Sequence, residues 1–260
     1  MSVAEPRYRA FYADRIEGRE PRVARARMLA VCAALMLLGG AVLIVLVGVA
    51  TAFSARRVYA RCATWLSRSL LWLYGIDLRI HGAPPWPAGQ CVYVSNHTST
   101  LDVFVLVALG LPKTRFFLSG FLGRILPLGA IGTMMGTFFT VPQTRPAERT
   151  RIFQAADREL ARTGESVYLS PEGERITTGS VGHFNKGAFH LATNLRAPIV
   201  PMYIDIPAHV DPGRGFDARP GPVDVYVLAP IDTSDWTLAD LLQNKERVRD
   251  VLVRVQETLR

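Results

Sequence analysis

What the chain has little of narrows its chemistry first. Cysteine occurs only at Cys32, Cys62 and Cys91 in 260 residues, an odd number at spacings that fit neither a disulfide framework nor a zinc knuckle. The three read as small buried hydrophobes of a reducing compartment. No metal-ligand cluster occurs, and no Gly-x-Ser-x-Gly nucleophile elbow, so a membrane-bound serine hydrolase has no serine in the right context. Charge is scarce: 20% of residues are charged and 49% hydrophobic, which excludes a disordered chain. Positive charge is scarcest where a nucleic-acid binder would need it. Residues 1–68 hold 11 Arg against 4 acids, or +7 of the formal +8, leaving +1 for the remaining 192 residues. A basic tail beside anionic lipid fits this distribution, and no nucleic-acid partner is expected.

The longest uncharged run, Met28 to Ala55, is 28 residues, about twice what a buried core helix needs and too long for the apolar part of a secretory signal. It is expected in a bilayer. Arg56 and Arg57 follow it. At ~100° per residue Arg57, Arg61 and Arg68 share one face, while Val58, Cys62, Trp65, Leu66, Trp72 and Leu73 share another. Residues 58–75 therefore read as an interfacial helix, or as an amphipathic helix packed on the soluble domain. Arginines on both flanks weaken the positive-inside signal. A straight span and a re-entrant run broken at Gly39-Gly40 are both open.

From residue 76 onwards short β-like runs alternate with helical patterns. Strands are expected at 77–82, 91–96, 114–119, 136–141, 166–170, 198–204 and 223–228. Helices are expected at about 100–109, 120–130, 146–163, 186–194 and 237–259, and Pro207 to Pro222 reads as a surface loop. The division is thus a basic N-terminus, membrane segment and interfacial helix over 1–75, then an α/β domain over 76–260 with helices on both faces of its sheet.

Polar residues cluster where strands end. Asn96 and His97 follow the run CVYVS, and Asp102 lies five residues after His97. An imidazole at a strand exit can meet a carboxylate on the next helix, which would fix its tautomer and stabilise the imidazolium of a general base. A second cluster follows SVYLS: Pro171, Glu172, Gly173, Glu174 and Arg175, then His183 to Gly187 with Lys186 among them. Pro171 ends the strand, Gly173 admits close backbone approach, and Arg175 offers a donor fork for phosphate or carboxylate.

Together these residues resemble the glycerolipid acyltransferase family, over about residues 75–205. Asn96, His97 and Asp102 match its first block. Pro171, Glu172, Gly173 and Arg175 match the third, with Ser170 and Glu174 replacing Phe and Thr, and the Phe-x-x-Gly beyond it matches Phe184 to Gly187. Val200-Pro201 match the fourth. The second block departs, because its arginine would fall at 142 and this chain has Pro142; Arg145, Arg149 and Arg151 are the nearest substitutes.

The resemblance implies a mixed sheet flanked by helices, preceded by a membrane anchor. It implies an O-acyltransferase that moves an acyl chain from acyl-CoA or an acyl carrier protein thioester to a lyso-lipid hydroxyl, foremost 1-acylglycerol-3-phosphate giving phosphatidate. A lyso-ornithine lipid, a lysophospholipid or a non-catalytic lipid-binding role are the alternatives. His97 and Asp102 would be catalytic. Glu172, Gly173, Arg175 and Arg145 would bind the acceptor, with Asn96, Pro171 and Lys186 in support, and with no metal and no cofactor beyond the thioester co-substrate. The expected place is a cell membrane, a bacterial inner membrane, with the catalytic domain facing the cytoplasm.

Overall fold

The computed structural model describes residues 20–82, 86–176, 180–211 and 218–259. The arginine-rich stretch 1–19 and the part of the 207–222 loop at 212–217 lie outside them. Along the chain come α1 (Glu20–Ala50), α2 (Arg56–Leu73), β1 (Ile76–Gly82), β2 (Val92–Ser95), α3 (Asp102–Leu109), β3 (Thr114–Ser119), α4 (Gly120–Arg124) and α5 (Leu128–Met134). β4 (Phe138–Thr140), α6 (Pro146–Thr163), β5 (Ser166–Leu169), α7 (Gly187–Leu195), β6 (Ile199–Asp205), β7 (Gly221–Val227) and α8 (Leu241–Leu259) follow.

The strands form one sheet in the order β1-β7-β6-β2-β5-β3-β4. Every neighbouring pair is parallel except β6 with β7, so β1 and β7 run against the other five. β2 and β5 are buried on both faces, as their unbroken apolar runs require in a covered parallel sheet. Alternate residues feed different cores. Tyr93, Phe116 and Tyr168 face α1, α2, α3 and α5. Val92, Val94, Phe117, Val167 and Leu169 face α6, α7 and α8.

All seven expected strands are present within a few residues of their expected ends. The 120–130 helix is two, α4 and α5, with Leu126-Pro127 between them. Proline cannot donate into the helix and disfavours helical backbone before it.

α1 runs unbroken through Gly39-Gly40. Chain reversal comes later, at Thr51–Ser54, where Ala52 and Phe53 take positive φ. Gly40 serves packing: a Cβ there would meet the Leu66 side chain at 2.6 Å. The window Arg25–Ala50 is long and apolar enough to cross a membrane. Met28, Leu35, Leu46 and Val49 on it are exposed.

α2 presents two faces. Tyr59, Ala63, Ser67, Leu70 and Leu71 are buried against the domain, while Trp65 and Trp72 are 70% and 80% exposed. Arg68, on the cationic face, meets protein: its Nε donates to the Ala108 carbonyl at 2.9 Å. That carbonyl is in the last turn of α3, where the helix dipole favours a cation. Arg56 pairs with Glu165 at 2.7 Å.

Ala41, Ile44, Tyr59, Ala63 and Leu71 share a core with Tyr93, Val200 and Ile204 of the sheet. Deletion of residues 1–75 is therefore expected to uncover the part of that sheet face packed against α1 and α2 and to give aggregated protein even in detergent. Recovery of a monodisperse, cooperatively unfolding 76–260 fragment would contradict this.

Candidate active site

β2 ends at Ser95, and the next two residues are held by side-chain and backbone bonds in place of the strand ladder. Asn96 reaches across to β6, where its Nδ2 donates to the Ile204 carbonyl and its Oδ1 accepts the Ile204 N–H, both at 2.8 Å. This buried amide fixes the strand exit. His97 then turns its ring towards α3, with Nδ1 2.7 Å from Asp102 Oδ2.

The same Oδ2 accepts the backbone N–H groups of Thr98 at 2.8 Å and Ser99 at 3.0 Å. An oxygen that already receives two donors is a carboxylate acceptor, so Nδ1 of His97 carries the proton. Nε2 is left with its lone pair on the open side of a ring that is 25% exposed, while Asp102 is 1% exposed. Ser99 Oγ donates to Asp211, which closes the loop from the side of the 207–222 segment.

Glu172 ties the second cluster to the first. It is buried, its Oε2 accepts the His97 N–H at 2.6 Å, and its Oε1 accepts the Gly182 N–H at 2.7 Å. Burial pushes its carboxyl above the ordinary glutamate value, opposed by the two backbone donors from Gly182 and His97. Both Glu172 oxygens thus accept backbone N–H groups, a tie between the two clusters that the sequence did not signal. Pro171 is buried beside it, and its carbonyl accepts the Asn185 N–H at 2.7 Å.

Gly173 has φ +74, and a Cβ there would lie 2.7 Å from Asn185 Nδ2, so glycine is needed both for the backbone angle and for the contact. Exposed Arg175 donates from Nη1 to Thr100 Oγ1 at 2.6 Å, beside the His97 loop. The Ile176 N–H closes on the His97 carbonyl at 2.8 Å.

Arg145 precedes α6 and ion-pairs with Glu148 in its first turn. Lys186 is exposed just before α7. Ser99, Thr100, Asn185 and Asp211 were not singled out as site residues from sequence. Asn185 lay inside the second cluster, but Asp211 is 112 residues from its partner Ser99, and no spacing signals that contact.

Next to Thr100 and Leu101 an apolar cavity of about 280 Å3 opens between α1, α2, α3 and the α4–α5 connection. Leu37, Leu71, Phe104 and Leu126 are among its walls. Residues 77–205 match the family model described as Acyltransferase.

The chain belongs to the acyltransferase family. Among its relatives, the 1-acyl-sn-glycerol-3-phosphate acyltransferase of Limnanthes douglasii is 30% identical over 192 residues, 71% of this chain and 65% of that one. The human protein named 1-acyl-sn-glycerol-3-phosphate acyltransferase beta is 33% identical over 181 residues, 68% of this chain and 64% of that one. The chain thus spans a little under two thirds of the length of these relatives. The crystal structure of the 1-acyl-sn-glycerophosphate (LPA) acyltransferase PlsC from Thermotoga maritima superposes with a TM-score of 0.77 at 18% identity, covering 91% of this chain and 95% of that one. The mixed α/β fold is therefore one that an acyltransferase is known to adopt.

Glu172→Gln replaces one of two carboxylate acceptors by an amide NH2, which faces a backbone N–H without bonding it. It is expected to lower stability by about 1–3 kcal/mol at pH 7. Because the folded carboxyl titrates above its unfolded value, its contribution to wild-type stability is full below about pH 4.5 and is lost as pH rises through the folded value. The variant lacks that slope. Denaturant unfolding in detergent between pH 4 and 8 checks both points, and an unchanged midpoint with an unchanged slope contradicts them.

Proposed function

We propose that the protein transfers an acyl chain from a thioester of coenzyme A or acyl carrier protein to the free hydroxyl of a membrane lyso-lipid, foremost 1-acylglycerol-3-phosphate, giving phosphatidate. The observation that carries this reading is the His97–Asp102 pair at 2.7 Å, with Nδ1 tied down and Nε2 free. Nε2 takes the proton of the acceptor hydroxyl as its oxygen attacks the thioester carbon. The C–O bond forms, the C–S bond breaks, and the imidazolium returns the proton to the departing thiolate. Asp102 holds the ring in the reactive tautomer and balances the imidazolium charge. No covalent acyl-enzyme and no cofactor beyond the thioester enters this scheme.

The apolar cavity beside Thr100 supports it as a place for an acyl chain. α1 supplies Ala33, Ala34 and Leu37 to that cavity, so the element long enough to enter a bilayer also walls the site. In this reading α1 and the exposed tryptophans of α2 hold the enzyme at a cell membrane, such as a bacterial inner membrane, with the domain on the cytoplasmic side where thioester donors are made. Arg175, on the rim beside the His97 loop, receives the acceptor's phosphate.

Pro142 at the position of the family's second-block arginine, with Arg145 already paired to Glu148, favours a second acceptor. This is a lyso-lipid without a terminal phosphate, such as a lyso-ornithine lipid, or a lysophospholipid.

Membranes containing the protein, given labelled acyl-CoA or acyl carrier protein and a panel of lyso-lipids, test the reading through the acylated product. His97→Ala is expected to lower turnover by about 10² to 10⁴ without loss of folding or membrane attachment, and Asp102→Asn similarly. Near wild-type transfer by His97→Ala would sink the general-base assignment. Arg175→Ala is expected to raise acceptor KM more than it lowers kcat; a change confined to the donor KM contradicts Arg175 as the acceptor clamp. Arg145→Ala is expected to weaken a phosphorylated acceptor more than an unphosphorylated one only if the Glu148 pair opens. Equal effects on both remove Arg145 from the acceptor site.

A further inference from the structure

A second cavity, of about 680 Å3, lies on the sheet face opposite the apolar one, between α6 and α7 and against α8. Its chemistry is the reverse. Arg149, Lys186 and Lys245 line it with three cations, and His183 and His190 add two imidazoles. The one carboxylate in the wall, Asp157, is occupied by Asn194, whose Nδ2 donates to it at 2.9 Å. Lys245 is 4% exposed, with Nζ 3.4 Å from His183 Nε2 and 2.9 Å from Glu246 Oε1. Arg149 gives Nη1 to the Val141 carbonyl at 2.9 Å, which fixes its guanidinium near the Phe153 ring and leaves other N–H groups uncommitted to that bond. With Lys245 paired to Glu246, Arg149 and exposed Lys186 are the cations of this wall that no carboxylate holds among the described residues.

This cavity meets the catalytic loop at one place. Asn185 lines it and donates Nδ2 to the Glu172 carbonyl at 2.9 Å, and Glu172 in turn holds the His97 N–H. Gly173 is the partition. A Cβ there would lie 2.7 Å from Asn185 Nδ2 and 3.4 Å from Gln143 Nε2, two residues of the cavity wall. The Asn185 side chain takes up the space that a Cβ would need and so joins the Glu172–Gly173 turn directly to the cavity wall.

We propose that this cavity takes the phosphate-bearing head of a pantetheine thioester. The inference rests on the acyl-transfer reading. The donor then straddles the carboxyl edge of the sheet, the usual place for ligands of such sheets. Its acyl chain lies in the apolar cavity and its thioester carbon at His97. Its pantetheine arm passes over Gly173, and its phosphates lie among Arg149, Lys186 and Lys245. The same phosphate chemistry occurs in the nucleotide of coenzyme A and in the phosphodiester that joins pantetheine to a carrier protein. The cavity volume is that of a small-molecule site.

The test uses the full chain in detergent or liposomes, with acyl-CoA and with S-acyl-pantetheine, which has the same thioester and no phosphate. Arg149→Gln and Lys186→Gln are each expected to raise the KM for acyl-CoA about tenfold, the equivalent of ~1.4 kcal/mol, and to raise the KM for S-acyl-pantetheine far less. An unchanged KM for acyl-CoA, or an equal rise for both donors, overturns the proposal. A rise that extends to acyl carrier protein assigns the cavity to the phosphodiester, and a rise confined to acyl-CoA assigns it to the nucleotide. Calorimetric titration with free coenzyme A separates the two levels of inference. If no thioester supports transfer, the acyl-transfer reading fails. The cavity then stands if wild type binds coenzyme A and the double variant does not, and falls if both or neither bind.

Discussion

The carboxylate of Glu172 receives the backbone N–H of His97 with one oxygen and that of Gly182 with the other. Two segments 75 residues apart in sequence meet on this one buried group. Because His97 is held by its own amide, the ring can direct Nδ1 to Asp102 without a second anchor on the side chain. Loss of either oxygen would strand a buried donor, and the desolvation cost of such a donor exceeds the net worth of an ordinary hydrogen bond. Burial raises the carboxyl's pKa and the two donors oppose the rise.

Around that junction the fold places unlike surfaces on either side of one sheet edge. β2 and β5, whose residues alternate between the two cores, bring His97 and Glu172 to the same end. On one face α1, α2 and α3 enclose an apolar cavity; on the other α6, α7 and α8 enclose a cationic one. A substrate with a hydrocarbon chain and a charged head separated by a reactive carbonyl is matched by this separation. α1 is at once the run suited to a bilayer, a wall of the apolar cavity and part of the sheet's core. The most apolar run of the chain and the architecture of the site therefore depend on the same helix.

Much of this was legible along the chain. Strands as short as SVYL stood out because parallel strands covered on both faces need uninterrupted apolar residues. His97 and Asp102 were readable because a loop of four residues and one helical turn suffice to join them. The split of the 120–130 helix at Pro127 was marked by the proline, yet the apolar spacing either side of it masked the break. Gly39-Gly40 left a break and a straight helix equally open because a glycine pair has the same appearance whether it bends a helix or admits a neighbour's Leu66. Arg68 read only as one of three arginines on a cationic helix face, and its position over the last turn of α3 gives it a protein partner.

Sequence by itself determined most of the elements, the long apolar N-terminal run and the pairing of His97 with Asp102, since each depends on periodicity or on contacts a few residues apart. Tertiary structure decided the reversed direction of β1 and β7, the reach of Asn96 to Ile204 and the closure of Ser99 on Asp211. It also brought the Glu172 oxygens onto the backbone of His97 and Gly182, and gathered Arg149, Lys186 and Lys245 from three helices or their flanks into one cavity. Such contacts join residues tens to a hundred positions apart. Their existence depends on strand order and register, which local spacing does not encode.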